Sequence, residues 1–300
     1  MTKSKQSLRN LARCALLLNL TLLFFLVPGC EFETEYTYLT ENVPAAIQDI
    51  SKNEYKMDVK TRMVGSTVWI YVPLEEMFAP PDKARKPEKY IEHFAVEQCN
   101  GALANKTLDL DYLIRLVPET EKSQNFILSK DAYMKQQYIW QIMVRMLMGV
   151  KPQKSGGIQF FSVVYADIKN GFLVRNIYYY ADIKKALYNL ISQTEFQHRT
   201  IQDWQVTPQV IADKTGVNIK YTDIIMDEFI AWQIINRIRM KFQKPEVPRN
   251  VDIDREIEKI ITYTVKAYDF NDFNDVKMNN LLTNKKLQIN RAAIMATPTE

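Results

Sequence analysis

The chain is poor in the residues from which common enzymes are built. Of 300 residues only eight are glycine, and only Gly156 and Gly157 are adjacent. Phosphate-cradling loops need several glycines so that backbone N–H groups can approach the ligand, and neither GxGxxG nor a P-loop occurs. Histidine is rarer still: His93 and His198 are the only two, and there is no HExxH, so the usual zinc-binding sets are missing. The nucleophile patterns GxSxG and SxxK are absent too. Nothing in the composition calls for a cofactor or a metal. Cysteine is limited to Cys14, Cys30 and Cys99.

The N-terminus, by contrast, is strongly patterned. Lys3, Lys5, Arg9 and Arg13 make a basic start with no acid among them. An apolar run from Cys14 to Val27 follows, broken only by Asn19 and Thr21, and it ends in Val27-Pro28-Gly29-Cys30. A positive segment, a short apolar segment and a small residue at the cut site are the parts of a secretory signal. The run is short of the ~20 residues of a comfortable transmembrane helix.

Because the small residue is followed at once by a cysteine, this segment resembles the lipobox of a bacterial lipoprotein. The resemblance covers about a tenth of the chain. It implies that residues 1–29 are removed, that Cys30 carries a diacylglyceryl group on sulfur, and that its new amine is acylated, by palmitate or a similar chain. It also implies a lipid-anchored, extracytoplasmic place in the cell envelope, on the periplasmic side of the inner or outer membrane. At ~0.8 kcal/mol per buried methylene, several acyl chains hold a protein on a membrane where one would not. An ordinary secretory signal with an incidental cysteine and an uncleaved anchor are the alternatives.

On that reading the formal charge of +4 belongs to the signal. Removing four of the 39 basic residues and none of the 35 acidic ones leaves a mature chain with no net formal charge, which gives no reason to expect a nucleic-acid partner. Cys99 is then the sole free thiol, and stability must come from a core rather than from disulfides.

Periodicity predicts an α+β fold: antiparallel sheets of β-hairpins packed against amphipathic helices, as one body or as subdomains over 43–125 and 130–300. Residues 30–42 read as a spacer or an alternating edge strand. A helix is expected over Val43–Tyr55. A hairpin is expected where Val59–Val64 meets Thr67–Val72 across Gly65-Ser66, a glycine-first turn of type II′. Phe94–Glu97 and Leu108–Leu116 read as strands, and Asp131–Met148 as a helix. The second half reads as one plan used twice. Strands Ile158–Ala166 and Phe172–Tyr180 precede a helix capped by Asp182 and packed through Leu187, Leu190 and Ile191. Strands Val206–Ala212 and Val217–Tyr221 precede a helix over Asp223–Phe242, and Asp254–Ala267 is one more helix.

Three clusters bear on chemistry. Glu195, His198 and Asp203 are the candidates for acid–base catalysis, since a carboxylate beside an imidazole is a recurrent device; dipole compensation at a helix end explains His198 and Arg199 equally well. Tyr178, Tyr179 and Tyr180 are candidates for a binding face that stacks on sugars or peptides, or are divided between core and shield. Asp269–Asp275 repeats Asp-Phe-Asn; it lacks the spacing of a calcium loop, and Phe270 and Phe273 are expected to pack while Asn274 or Asp275 caps a helix. The leading expectation is a non-enzymatic binding or assembly module on a membrane, with an envelope protein or glycan as partner. The alternatives are an extracytoplasmic hydrolase using Glu195, His198 and Asp203, and a glycan- or peptide-binding protein using the strand of Tyr178, Tyr179 and Tyr180.

Overall fold

The computed structural model describes residues 37–79, 88–124, 127–151, 157–243 and 247–297. Cys30, the signal and residues 31–36 of the spacer lie outside them. Residues 38–300 form one compact α+β unit. Tyr38 joins it by a parallel bridge to Val150.

The first sheet starts as the hairpin periodicity predicts. Helix α1 (Val43–Asn53) buries Val43, Ile47 and Ile50, and strands β1 (Lys60–Val64) and β2 (Thr67–Leu74) pair across Gly65-Ser66. Gly65 has φ +57° and the Asp223 carboxylate lies where a Cβ would sit, so only glycine fits the turn. Asp223 Oδ1 accepts from the Ser66 N–H at 2.9 Å and the Thr67 hydroxyl at 2.9 Å.

After β2 the chain leaves this sheet on a long excursion. It passes through β3 (Phe78–Ala79), forms a hairpin of β4 (Glu88–Ala104) and β5 (Thr107–Gln124), and returns through β6 (Ile127–Leu128). β3 and β6 pair and clasp the neck of the excursion. Ser129 reinforces the clasp by donating its N–H to the Met77 carbonyl and its hydroxyl to the Glu76 carbonyl, both at 2.8 Å. The β4–β5 turn is Asn105-Lys106, both at positive φ, as a type I′ turn requires.

Helix α2 (Lys130–Gly149) leads back to the first sheet as β7 (Phe160–Asp167) and β8 (Phe172–Tyr179). Short helices α3 (Tyr180–Leu187) and α4 (Gln193–Arg199) follow, then β9 (Ile201–Val206). The strand order is β1-β2-β7-β8-β9, with β2 and β7 parallel and the other pairs antiparallel. β7 is buried throughout and β2 nearly so, as befits central strands covered on both faces. Val68, Ile70, Phe161 and Val163 face a core shared with α1 and α2. Trp69, Tyr71, Val164 and Leu173 face the other way, against residues from the loop after β9.

The second sheet is built by the excursion and the C-terminus together. Helices α5 (Met226–Phe242) and α6 (Ile253–Ala267) precede β10 (Asp275–Asn280), β11 (Lys285–Asn290) and α7 (Arg291–Ala296). Its order is β11-β10-β5-β4, with β10 parallel to β5. Leu108, Leu110, Tyr112 and Ile114 of β5 alternate into a core with Ile234 and Ile238 of α5 and Ile257 and Ile261 of α6. Both sheets therefore draw strands from either side of residues 125–130, where a subdomain boundary was expected.

The α+β class holds as expected, and to its antiparallel hairpins the sheets add two parallel pairs, β2 with β7 and β5 with β10. Several local expectations are corrected. Val206–Ala212 and Val217–Tyr221 do not pair: Pro208 opens a 3-10 turn, and the Asp213 carboxylate gathers the N–H groups of Thr215, Gly216 and Asn218, folding the segment into a loop over the sheet. Asp182 is not a cap but a buried residue in the first turn of α3, and Leu190 is exposed. Phe270 and Phe273 do pack, their rings stacked and nearly parallel with centres 6.0 Å apart, but the segment from Asp275 to Asn280 is strand β10, not a helix. Among the described residues no helix is long and apolar enough to cross a membrane.

Candidate functional site

A buried ion network sets the positions of four helices. Arg199 at the end of α4 is 7% exposed; its Nε donates to Glu195 Oε1 at 2.6 Å and its Nη1 to Asp182 Oδ1 of α3 at 2.9 Å. Glu195 Oε1 also receives Arg237 Nη2 of α5 and the Tyr263 hydroxyl of α6, both at 2.8 Å. Gln233 of α5 donates to the Arg199 carbonyl. Two acids face two guanidinium groups, and the Lys185 ammonium lies 3.9 Å from Asp182 Oδ1. Burial alone would raise the Glu195 pKa; the hydrogen bond from Arg199, the charge of Arg237 and the Tyr263 hydroxyl outweigh it and hold the carboxyl below its ordinary value.

This network engages one member of the expected catalytic group and not the others. Asp203 lies on β9, where it accepts from Arg175 Nη2 at 3.3 Å and from Gln205 Nε2 at 2.7 Å. Glu195 and Asp203 thus have separate partners, and Glu195 Oε1 is already held by three donors. His198 is half-buried in the last turn of α4. Among the described residues no three His, Cys, Asp or Glu side chains converge as a metal site.

The tyrosine triplet is likewise divided. Tyr179 packs against Phe160, Phe229 and Tyr268 with ring centres 5.4–5.9 Å away. Tyr180 stacks on Phe161 at 6.4 Å and donates to the Leu147 carbonyl at 3.3 Å. Tyr178 stacks on Phe196 at 6.2 Å and 17° and lines a wide groove. Burial pushes its phenol up to about 12, with the Asn176 hydrogen bond acting in the opposite sense.

That groove has a volume of about 800 Å³, within the range of roughly 300–1,000 Å³ usual for ligand sites. Helix α2 contributes Gln136, Gln137 and Trp140; β8 contributes Asn176 and Tyr178; α4 contributes Gln193, Phe196 and Gln197. Gln202, Asp203 and Trp204 come from β9, Asn236 and Arg239 from α5, and Gln243 from the residue that caps it. Eight of its lining side chains are carboxamides, and only Asp203 and Arg239 carry charge. Both charges have internal partners, since Arg239 Nη2 donates to the Cys99 carbonyl at 3.3 Å. Cys99 itself is buried, which pushes its thiol up to about 11 despite the opposing charge of Arg239.

The aromatic lining is braced. Trp140 lies 5.3 Å from Phe196, and Trp204, 52% exposed, is stacked on Phe78 of β3 at 5.9 Å and 16°. A narrower branch of about 280 Å³ shares Gln202, Asp203, Asn236 and Arg239 with the main groove and adds Arg175, which lies over Trp232 at 5.5 Å. Sequence reasoning reached Tyr178 and Asp203 here, and the polar run from Glu195 to Asp203 includes Gln197 and Gln202, but it did not reach Gln136, Gln137, Gln193, Asn236 or Gln243. Their signal was the helical spacing: Gln136/Trp140, Gln193/Gln197 and Asn236/Met240 each lie four apart and so share a face.

Acid sensitivity follows from the depressed carboxyls. A group held below its unfolded pKa stabilises the fold above that value and loses the contribution as pH falls through the folded value. Glu195 is in this position, as are Asp213, Asp254 and Glu256. Stability measured by urea unfolding is expected to hold between pH 5 and 7 and to fall below about pH 4.5. Glu195→Gln is expected to be less stable at pH 7 and to show a shallower acid dependence. An equally steep dependence in the variant would count against the network.

No family model matches the chain, and no curated protein or solved structure matches it either, so the functional reading rests on the groove and on the N-terminal pattern.

Proposed function

We propose that the chain is a lipid-anchored protein of the bacterial envelope whose body binds a ligand in the groove between α2, α4, α5 and β8–β9 without transforming it. The observation that carries this reading is the groove's lining: carboxamides and braced rings in quantity, with its single carboxylate already engaged by Arg175 and Gln205. Such a lining orients and desolvates a guest but offers no free acid–base pair. The hydrolase alternative needs Glu195 free to move a proton, and three donors on one oxygen oppose that.

The anchor is supported by the basic start, the apolar run and Gly29-Cys30. Metabolic labelling with a fatty acid is expected to mark the wild-type chain in the envelope fraction and to leave Cys30→Ala unmarked. Label retained by Cys30→Ala, or absent from wild type, would remove the anchor from the account. The groove is tested by tryptophan emission from the full chain in detergent. A low-molecular-weight digest of envelope material is expected to change the emission of wild type, and Trp204→Phe to lose most of that change. The same response in both would show that the groove is not the binding site.

A further inference from the structure

The chemistry of the groove goes further and narrows the guest. We infer that the groove takes an uncharged oligosaccharide; this rests on the proposal that the groove is a binding site. A hydroxyl both donates and accepts, and so does a carboxamide, through its NH₂ and its carbonyl oxygen. Gln136, Gln137, Gln193, Gln197, Gln202 and Asn236 therefore suit a chain whose rim is all hydroxyls. A cationic ligand would need a free carboxylate, and Asp203 is already paired with Arg175; Arg239 gives one N–H to the Cys99 carbonyl and keeps its charge, a single cation among eight carboxamides.

The rings complete the match. A pyranose shows a face of C–H bonds between its hydroxyls, and that face gains from contact with a flat aromatic surface. Trp204 offers such a surface already half exposed and stacked from behind by Phe78, so little conformational freedom is lost when a guest settles on it. Trp140, Tyr178 and Phe196 form a second, contiguous aromatic patch in the same groove, with ring centres 5.3–6.2 Å apart. Between the patches lies a polar relay: Gln202 Nε2 donates to Asn176 Oδ1 at 3.3 Å, and Asn176 Nδ2 to the Tyr178 hydroxyl at 3.2 Å. Asn176 is 7% exposed, so its amide is fixed by its partners before any ligand arrives.

A peptide fits less well. Peptides commonly add as a strand to a free sheet edge, and β9 is an edge of the first sheet. The carbonyls of Arg199 and Thr200, where β9 begins, are already taken by Gln233 and Asn236 of α5. What the groove presents is side-chain amides and ring faces, which suit a sugar chain.

The test is calorimetric titration of the full chain in detergent with neutral hexasaccharides: α-1,4-glucan, β-1,4-glucan, β-1,4-xylan and β-1,4-linked N-acetylglucosamine. Oligogalacturonate and a mixed set of uncharged hexapeptides serve as comparators. At least one neutral glycan is expected to bind, with an affinity changed less than twofold between 50 and 500 mM salt, because screening acts on charge pairs. Trp204→Ala is expected to weaken it at least tenfold. The exposed helix pair Gln193→Ala/Gln197→Ala, which leaves the core untouched, is expected to weaken it at least threefold at an unchanged melting temperature. Binding of peptides or oligogalacturonate alone, lost in the same variants, would overturn the glycan assignment and keep the groove. No binding by any neutral glycan overturns it as well, and glycan binding indifferent to all three substitutions would take the groove reading down with it.

Discussion

The arrangement depends on one buried guanidinium. Arg199 joins Asp182 on α3 to Glu195 on its own helix, and Glu195 passes the link to Arg237 on α5 and Tyr263 on α6. Those helices belong to different layers: α3 and α4 pack with the first sheet, α6 with the second, and α5 with both, through Phe229 on the first and Ile234 and Ile238 on the second. Taking four charges out of water is costly, and packed apolar side chains would stabilise a fold as well or better. Asp182 Oδ2, Gln233 Oε1 and Arg237 Nε even lack a hydrogen-bond partner among the described residues. What the network adds is specificity. Arg199 meets both carboxylates while Arg237 and Tyr263 meet Glu195, which constrains how the four helices sit together, and Phe196, Gln193 and Gln197 on α4 lie along the groove.

The chain path has the same consequence. The β4–β5 excursion and the C-terminal β10–β11 hairpin come from opposite ends of the sequence and share a sheet, while the first sheet is completed by β7–β9 from the middle. Neither sheet closes until most of the chain is present. The groove takes its residues from α2, β8, α4, β9 and α5, so it exists only once α5 has docked beside the first sheet. The clasp of β3 on β6 also contributes, because Phe78 in it supports Trp204.

Much of the local structure was legible because its cause is local. Gly65 marks a turn that only glycine tolerates, and the apolar spacing of α2, α5 and α6 reports the faces they bury. Three errors have physical reasons. Asn105-Lys106 makes a type I′ turn without glycine, so its sign was missing and β4 and β5 looked short. The segment after β9 alternates like a strand, but Tyr71 and Trp69 donate to the Asp213 and Thr222 carbonyls and hold it as a covering loop. Val276 and Met278 alternate inward from a stretch rich in Asp and Asn, whose capping tendency suggested a helix where parallel pairing with β5 makes a strand. The groove was hardest to read. Each amide pair is visible on its helix, yet their convergence depends on tertiary links such as Arg199 to Asp182, which no spacing reports.

The account stands or falls with Arg199. Replacing it by methionine keeps an unbranched apolar stem but removes the guanidinium from the buried Asp182 carboxylate, so urea unfolding at pH 7 should show a loss of about 3–5 kcal/mol relative to wild type. A loss below ~1 kcal/mol, the scale of an exposed surface pair, would mean that the network does not hold the helices, and the groove would need another explanation.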